Sequence, residues 1–171
     1  MMNNRIVAND GKFSFFTGGE QPVKVSDGYI DVVIVDVSKV ERYYVSRKSV
    51  GNPAYKQRLL VIDPRKLGGD AATKADIFEM TINGASIFDT HDYISKGYSL
   101  RNYMQRLATP RPEFPHGINR AEVITRIKFN RDSTIPSHLG FSGGQHSFLT
   151  KGALSTLSKI LAMNSPTQHS L

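Results

Sequence analysis

Residues 28–45 read GYIDVVIVDVSKVERYYV, the stretch with the strongest β-forming character in the chain. Its first half, Tyr29 to Val37, is almost continuous in valine and isoleucine, which predicts a strand buried on both faces or a barrel wall. Its end is charged and aromatic, with Arg42, Tyr43 and Tyr44. A strand that begins in a core and ends in arginine and tyrosine suits a β-protein that binds a flexible polyanion.

Shorter β-type segments lie on both sides of this strand. They are KFSFF at 12–16, a brief segment at 23–25, RLLVI at 58–62, DIFEMTI at 76–82, an apolar segment at 85–88 and EVITRIKF at 122–129. Turn signals such as Gly18-Gly19, Asp63-Pro64 and Asn83-Gly84 separate several of them. The pattern predicts five or six strands.

Two helices are predicted in the second half. Apolar residues spaced i, i+3, i+4 and i+7 over 100–107 form the stripe of the first, with Ser99 as its N-cap and Pro110 as its stop. The second runs from Phe148 to Leu161 with Ser147 as its cap, after a hinge at 142–144. Its stripe would pack equally well on its own barrel or on a second subunit, which leaves a monomer and a homo-oligomer open.

These elements favour a mainly β protein with added helices. The strand count suits an OB-like barrel of five to six strands with one internal helix and one C-terminal helix, and a sandwich is the alternative. A length of 171 residues fits one domain, which we place at 1–163. The last segment, NSPTQHSL at 164–171, is expected to be a flexible tail.

The charge balance favours an anionic partner. The chain holds 22 basic and 15 acidic side chains, and there is no carboxylate side chain after Asp132. Nucleic acid is favoured over a membrane because there is no strongly amphipathic basic helix, and no apolar run approaches the roughly 20 residues that span a bilayer. The start, MMNNRIVAND, lacks a signal-peptide core, so a cytoplasmic location is expected.

Aromatic and basic residues alternate in one short region that is a candidate nucleic-acid site. Single strands are held by cations that neutralise phosphates and by aromatic faces that stack on bases. The region spans 17 positions and holds Arg42, Tyr43, Tyr44, Arg47, Lys48, Tyr55, Lys56 and Arg58. The alternative is that the tyrosines pack in the core and that the cations form an ordinary solvated face.

A second candidate is the strand near residue 126. Arg126 and Lys128 share one face of it, opposite a row of mostly apolar residues, as the wall of a basic groove would. A solvent-facing strand protected by cations would give the same pattern.

Catalytic and metal-binding patterns are weak. The chain has no cysteine, so thiolate metal sites and cysteine nucleophiles do not arise. The cluster DTHD at 89–92 is more typical of a local turn than of a metal site, and the remaining histidines lack ligand spacing. There is no P-loop, dinucleotide glycine pattern or nucleophile elbow. We therefore expect a protein without enzymatic activity, cofactor or metal.

Four blocks of the chain resemble a family of small bacteriophage proteins regarded as single-stranded DNA-binding or replication-associated. The blocks are GKFSFF, DVVIVD with the Tyr43-Tyr44 pair, YKQRLLVID leading to ASIF, and LRNYMQRLA followed by EVITRIKFNRDSTIPSHLGF. The resemblance implies an OB-like barrel that coats single-stranded DNA during phage replication or recombination, in the host cytoplasm. Longer relatives carry a cysteine-bearing insertion after the tyrosine pair, where this chain has only a short loop without cysteine. Metal-dependent properties of those relatives are therefore not expected here. Bacterial single-strand binders typically end in an acidic tail that recruits partners, whereas the residues at the end of this sequence are basic and polar, so recruitment of that kind is not expected.

Two other functions fit the same residues. A virion structural protein would use a basic face to contact the packaged genome or a neighbouring subunit, and its presence in purified particles would identify it. A nuclease would need a carboxylate–metal cluster, and the lack of a recognisable one in the sequence argues against it; magnesium-dependent cleavage would reveal it. The sequence leaves open whether RNA is also bound and which phage or host replication proteins are partners.

Overall fold

The computed structural model describes residues 4–44, 54–69, 71–88, 97–131, 133 and 137–163, without the side chains of 144–147. It holds nine strands: β1 Asn4–Asn9, β2 Lys12–Thr17, β3 Lys24–Asp27, β4 Tyr29–Val37, β5 Glu41–Tyr43, β6 Ala54–Ile62, β7 Ile77–Asn83, β8 Val123–Phe129 and β9 Leu139–Phe148. The α-helices are α1 Gly84–Phe88, α2 Leu100–Ala108 and α3 Lys151–Ala162. Short 3-10 helices cover Pro64–Gly68, Lys74–Asp76 and Arg120–Glu122. The predicted tail at 164–171 lies outside the described residues.

All nine strands belong to one sheet, which curls into a half-barrel. Its order is β3-β2-β1-β7-β6-β4-β8-β9, and β5 pairs with β6 beside β4. The curl is visible where strands from opposite ends of this order meet. The ring of Phe13 on β2 lies 4.7 Å from that of Phe129 on β8, and the Ser137 hydroxyl donates to the Ala8 carbonyl at 3.0 Å.

The strand β4 is buried on both faces, as its unbroken apolar run predicts. Ile30, Val32 and Ile34 belong to the core inside the curl, whereas Val33 belongs to a second core on the outer face. Successive side chains of a strand point to opposite faces, so a run of apolar residues supplies both cores at once. The predicted fold class, mainly β and OB-like with an internal and a C-terminal helix, is confirmed.

The two helices α2 and α3 cover opposite faces of the sheet. On the inner side, Leu100 and Tyr103 of α2 are buried, and the Tyr103 hydroxyl lies 2.7 Å from the Thr125 hydroxyl. On the outer side, Leu157 and Ile160 of α3 pack with Leu67 of the 3-10 helix. The sequence prediction that α2 starts after a Ser99 cap is confirmed, because the Ser99 hydroxyl accepts from the Asn102 amide.

Several local expectations were wrong. The segment 139–148 forms β9, so the expected hinge lies inside a strand, where Gly143 pairs with Thr125. Helix α3 therefore begins later than predicted, and its cap is Thr150 instead of Ser147.

Residues 84–88 form the short helix α1 instead of a β segment. Strand β1 was not predicted, and it joins the sheet through β2 and, in parallel, β7. In each case pairing or packing with distant residues decides the local conformation.

Candidate nucleic-acid interface

The hairpin formed by β5 and β6 gathers most of the predicted site residues. Their antiparallel register places Glu41 opposite Lys56, Arg42 opposite Tyr55 and Tyr43 opposite Ala54. Directly opposed residues on neighbouring strands have side chains within about 5.5 Å at Cβ. Arg42 is exposed, and Tyr44, just after β5, is 54% exposed. Arg47 and Lys48 lie outside the described residues.

The alternation of side chains divides this cluster between the two faces of the sheet. Tyr55 shares its face with Leu59 and Val61 of the inner core, and Arg42 opposite it lies on the same side. Tyr44 follows the end of β5, and the outer face carries the other three cluster residues that lie on these strands. They are Tyr43, Lys56 and Arg58. The sequence brings these residues together, but it is the strand register that separates them.

On the outer face the cations contact carboxylates. Glu41 lies 2.9 Å from Arg58 and 3.8 Å from Lys56, and Glu79 on β7 lies 3.9 Å from Arg58. The Lys56 ammonium also lies 5.2 Å from the centre of the Tyr43 ring. These ion pairs are 33–48% exposed, so each contributes little to stability, and a phosphate could replace the carboxylates as partner.

On the inner face the hairpin meets both helices that follow β7. The Tyr55 ring lies edge-on to Phe88 at the end of α1, with centroids 5.5 Å apart, and the Arg101 guanidinium of α2 lies 6.0 Å from the Phe88 ring. A groove of about 400 Å³ opens here between hairpin and helices. Its lining residues are Val40, Gln57, Ile87, Phe88, Leu100, Arg101, Met104 and Gln105. One of these eight is cationic and none is acidic, which suits an anionic ligand.

Arg126 and Lys128 lie elsewhere. Strand β8 pairs with the first half of β4, so that Arg126 is opposite Asp31 and Lys128 is opposite Tyr29. Since β6 reaches Val37 at the other end of β4, roughly 25 Å of strand separates Lys128 from the hairpin. The structure therefore does not bring these two cations together with the hairpin residues.

Arg126 is engaged by neighbours on the sheet. Its guanidinium donates to both carboxylate oxygens of Asp31 at 2.9 Å and lies 4.1 Å from the Tyr29 ring. The hydrogen bond to Asp31 raises the pKa of Arg126 above its ordinary value, with partial burial acting in the opposite direction. A charge-assisted bidentate pair of this kind is stronger than an ordinary hydrogen bond and holds the guanidinium against the sheet.

A larger cleft, which the sequence analysis did not identify, separates β3 from the first half of β4. It has a volume of about 1170 Å³ and a floor that includes Phe15, Val61 and Phe78. Its charged lining residues are the cations Lys24, Arg65 and Lys66 and the carboxylates Asp27, Asp31, Asp63 and Asp76. Cations of β3 and the 3-10 helix could not be assigned to one cleft from sequence, because β3 and residues 64–68 are distant in the chain.

One charge in this cleft, Asp63, is the N-cap of the 3-10 helix Pro64–Gly68. Its carboxylate accepts from the Arg65 amide and guanidinium and lies 3.9 Å from the Lys24 ammonium. Partial burial raises the pKa of Asp63, but the hydrogen bonds and charges of Arg65, with the charge of Lys24, outweigh it and hold that pKa below its ordinary value. The cleft thus holds a neutralised cluster with a slight acidic excess, which disfavours a polyanion.

Metal-binding and membrane features were also sought in the described part of the chain. It contains no group of three or more histidine, aspartate and glutamate side chains placed to hold a metal ion. The predicted turn DTHD at 89–92 lies outside it. Among the helices described, none has the length and apolar character needed to cross a bilayer.

Comparison of the chain with protein-family models, with curated proteins and with solved structures found no match.

Proposed function

We propose that this protein binds single-stranded DNA without catalysis, as a phage protein that coats replication or recombination intermediates in the cytoplasm of the infected bacterium. The observation that carries the proposal is the β5–β6 hairpin. It sets Arg42 beside Tyr55, next to a groove that has a cationic and no acidic lining residue, and leaves Tyr44 exposed. The four-block sequence resemblance supports the assignment to phage proteins of this kind.

The chemistry of the hairpin suits single strands better than duplex DNA. Unpaired bases offer flat faces to aromatic side chains, and stacking contributes roughly 1–3 kcal/mol per base for any sequence. Arg42 and Arg101 supply charge on the inner side, and Lys56 and Arg58 supply it on the outer side once their carboxylate partners are displaced. A net charge of +7 adds long-range attraction to a polyanion.

The test is the binding of labelled oligo-dT across a salt series, measured by fluorescence anisotropy. We expect binding at low salt that weakens as salt rises, because each neutralised phosphate releases counterions. Replacing one contacting cation, Arg42→Gln, should weaken binding and reduce the slope of log K against log[salt] by about 0.7. The matched control is Lys159→Gln on α3, an exposed cation on the outer face that should leave the slope unchanged. Affinity weaker than tens of micromolar at low salt, or affinity independent of salt, contradicts the proposal.

A further inference from the structure

The groove between the hairpin and the helices combines features that an unstacked nucleobase requires. Its walls are apolar, with Val40, Ile87 and Met104 contributing aliphatic surface and Phe88 contributing an aromatic ring. Its polar lining residues are Gln57, Arg101 and Gln105. A flat apolar ligand with hydrogen-bonding edges matches such a mixture of apolar walls and amide groups.

The amide side chains fit a base of any type. A glutamine carries both a donor and an acceptor, so it can pair with the edge of any of the four bases. The Gln57 Nε2 donates to the Ser38 carbonyl at 2.8 Å, which fixes this amide at the boundary between β4 and β5. Gln105 lies on the exposed side of α2 and can change rotamer. One fixed and one adaptable amide favour tolerance of base identity.

The charges of the lining residues favour this groove over the larger cleft as a site for an anionic strand. The cleft beside β3 is lined by four aspartates against three cations, whereas the groove is lined by Arg101 and no carboxylate. The groove is also continuous with the proposed interface, because Phe88 contacts Tyr55 and Tyr55 lies opposite Arg42. We infer that the groove receives one unstacked base of the single strand bound at the β5–β6 hairpin. This inference rests on the proposed function.

The test compares two labelled oligo-dT strands of equal length, one intact and one with abasic sites in its centre. Both carry the same phosphates, so the difference in affinity reports bound bases. We expect the wild-type protein to bind the abasic strand about tenfold more weakly. Phe88→Leu retains apolar volume but removes the aromatic face, and we expect it to remove most of this difference while the salt slope is unchanged.

The matched control is Phe148→Leu. Phe148 is 50% exposed and stacks on Phe114, and it does not line the groove, so this variant should keep the tenfold difference. A thermal melt confirms that both variants are folded. Photo-crosslinking of the wild-type protein with an iodouracil-substituted strand gives a second measurement, which is independent of mutation. We expect the cross-linked peptides to contain residues that line the groove.

The outcomes separate the inference from the proposed function. Equal binding of intact and abasic strands by the wild-type protein, with normal salt dependence, overturns the groove inference and the stacking of bases on the hairpin, and it leaves non-catalytic binding of single strands through their phosphates standing. The groove inference is also overturned when Phe148→Leu loses the difference in affinity between intact and abasic strands to the same extent as Phe88→Leu. It is likewise overturned when every cross-link falls outside the lining residues. Failure of the wild-type protein to bind either strand overturns both.

Discussion

At the scale of single residues, the partners of a charge decide its role. Asp63 and Arg65 form a bidentate pair two residues apart, and Asp63 also caps a 3-10 helix and faces Lys24 from a different part of the chain. The sequence predicts that the strand stops at Asp63-Pro64, which is correct. It does not show the contact with Lys24, because that contact depends on where the pairing of β3 with β2 places β3 relative to the end of β6.

Asp63 should make stability depend on pH. Its pKa in the folded protein lies below the ordinary value of 3.8, so its contribution is complete above that value and is lost as pH falls through the folded-state pKa. Asp63→Asn should lower the free energy of unfolding by roughly 0.5–1 kcal/mol at neutral pH. The loss is small because Arg65 is exposed and solvent therefore screens the pair. Urea unfolding at several pH values measures this difference, and it should shrink below pH 3.8.

Asparagine can still cap a helix, so Asp63→Asn removes the charge and keeps the cap. The matched variant that removes both is Asp63→Ala. This change also removes the cap and should cost roughly 1 kcal/mol more. If the gap between wild type and Asp63→Asn stays constant from neutral to acid pH, the carboxylate has no stabilising partner.

At the scale of elements, β4 and α3 show how one strand holds two cores together. Val33 of β4 and Ile62 of β6 contact the outer core, to which α3 contributes Ala153, Leu157 and Ile160. The apolar stripe of α3 was predicted, with docking on its own barrel and on a second subunit both open. In the structure the stripe packs on its own sheet, because Val33 and Ile62 make the outer face of β4 and β6 apolar where α3 lies.

Truncation of the α3 stripe should destabilise the protein. Leu157 is 3% exposed, and Leu157→Ala should lower the free energy of unfolding by about 2–5 kcal/mol through lost burial and a residual cavity. Leu161 lies on the same helix but is 41% exposed, and Leu161→Ala should cost less than about 1 kcal/mol. Chemical denaturation of both variants gives the comparison. Equal losses would mean that α3 does not dock by this stripe.

At the scale of the whole molecule, the half-barrel separates the two sets of cations that the sequence offers as candidates for binding nucleic acid. The hairpin cations lie beyond one end of β4, and Arg126 and Lys128 lie at the other, beside Tyr29 and Asp31. The outer face between these ends is covered by α3 and the 3-10 helix that packs with it. A single groove lined by all of these residues would have to pass over or around that helix.

This separation predicts different effects for two arginine variants. Arg126→Gln removes the bidentate pair with Asp31 and should lower stability by about 1 kcal/mol, since the pair is one-third exposed. It should change oligo-dT affinity much less than Arg42→Gln, which should weaken affinity with little effect on stability. Paired denaturation and anisotropy measurements test this. Equal loss of affinity in the two variants would place both arginines on the path of the strand.

The amino-acid sequence was sufficient to predict the class of fold, the two-faced strand β4, the position and cap of α2, and the excess of positive charge. These follow from local rules, namely side-chain periodicity, turn chemistry, capping and composition. The folded structure was needed to show that residues 139–148 form a strand, that Arg42 and Tyr55 lie on the inner side of the sheet while Lys56 and Arg58 contact Glu41 on the outer side, and that Arg126 lies far from them. The reason is that strand register and the curl of the sheet join residues distant in the chain, and a shift of one residue would reverse every face.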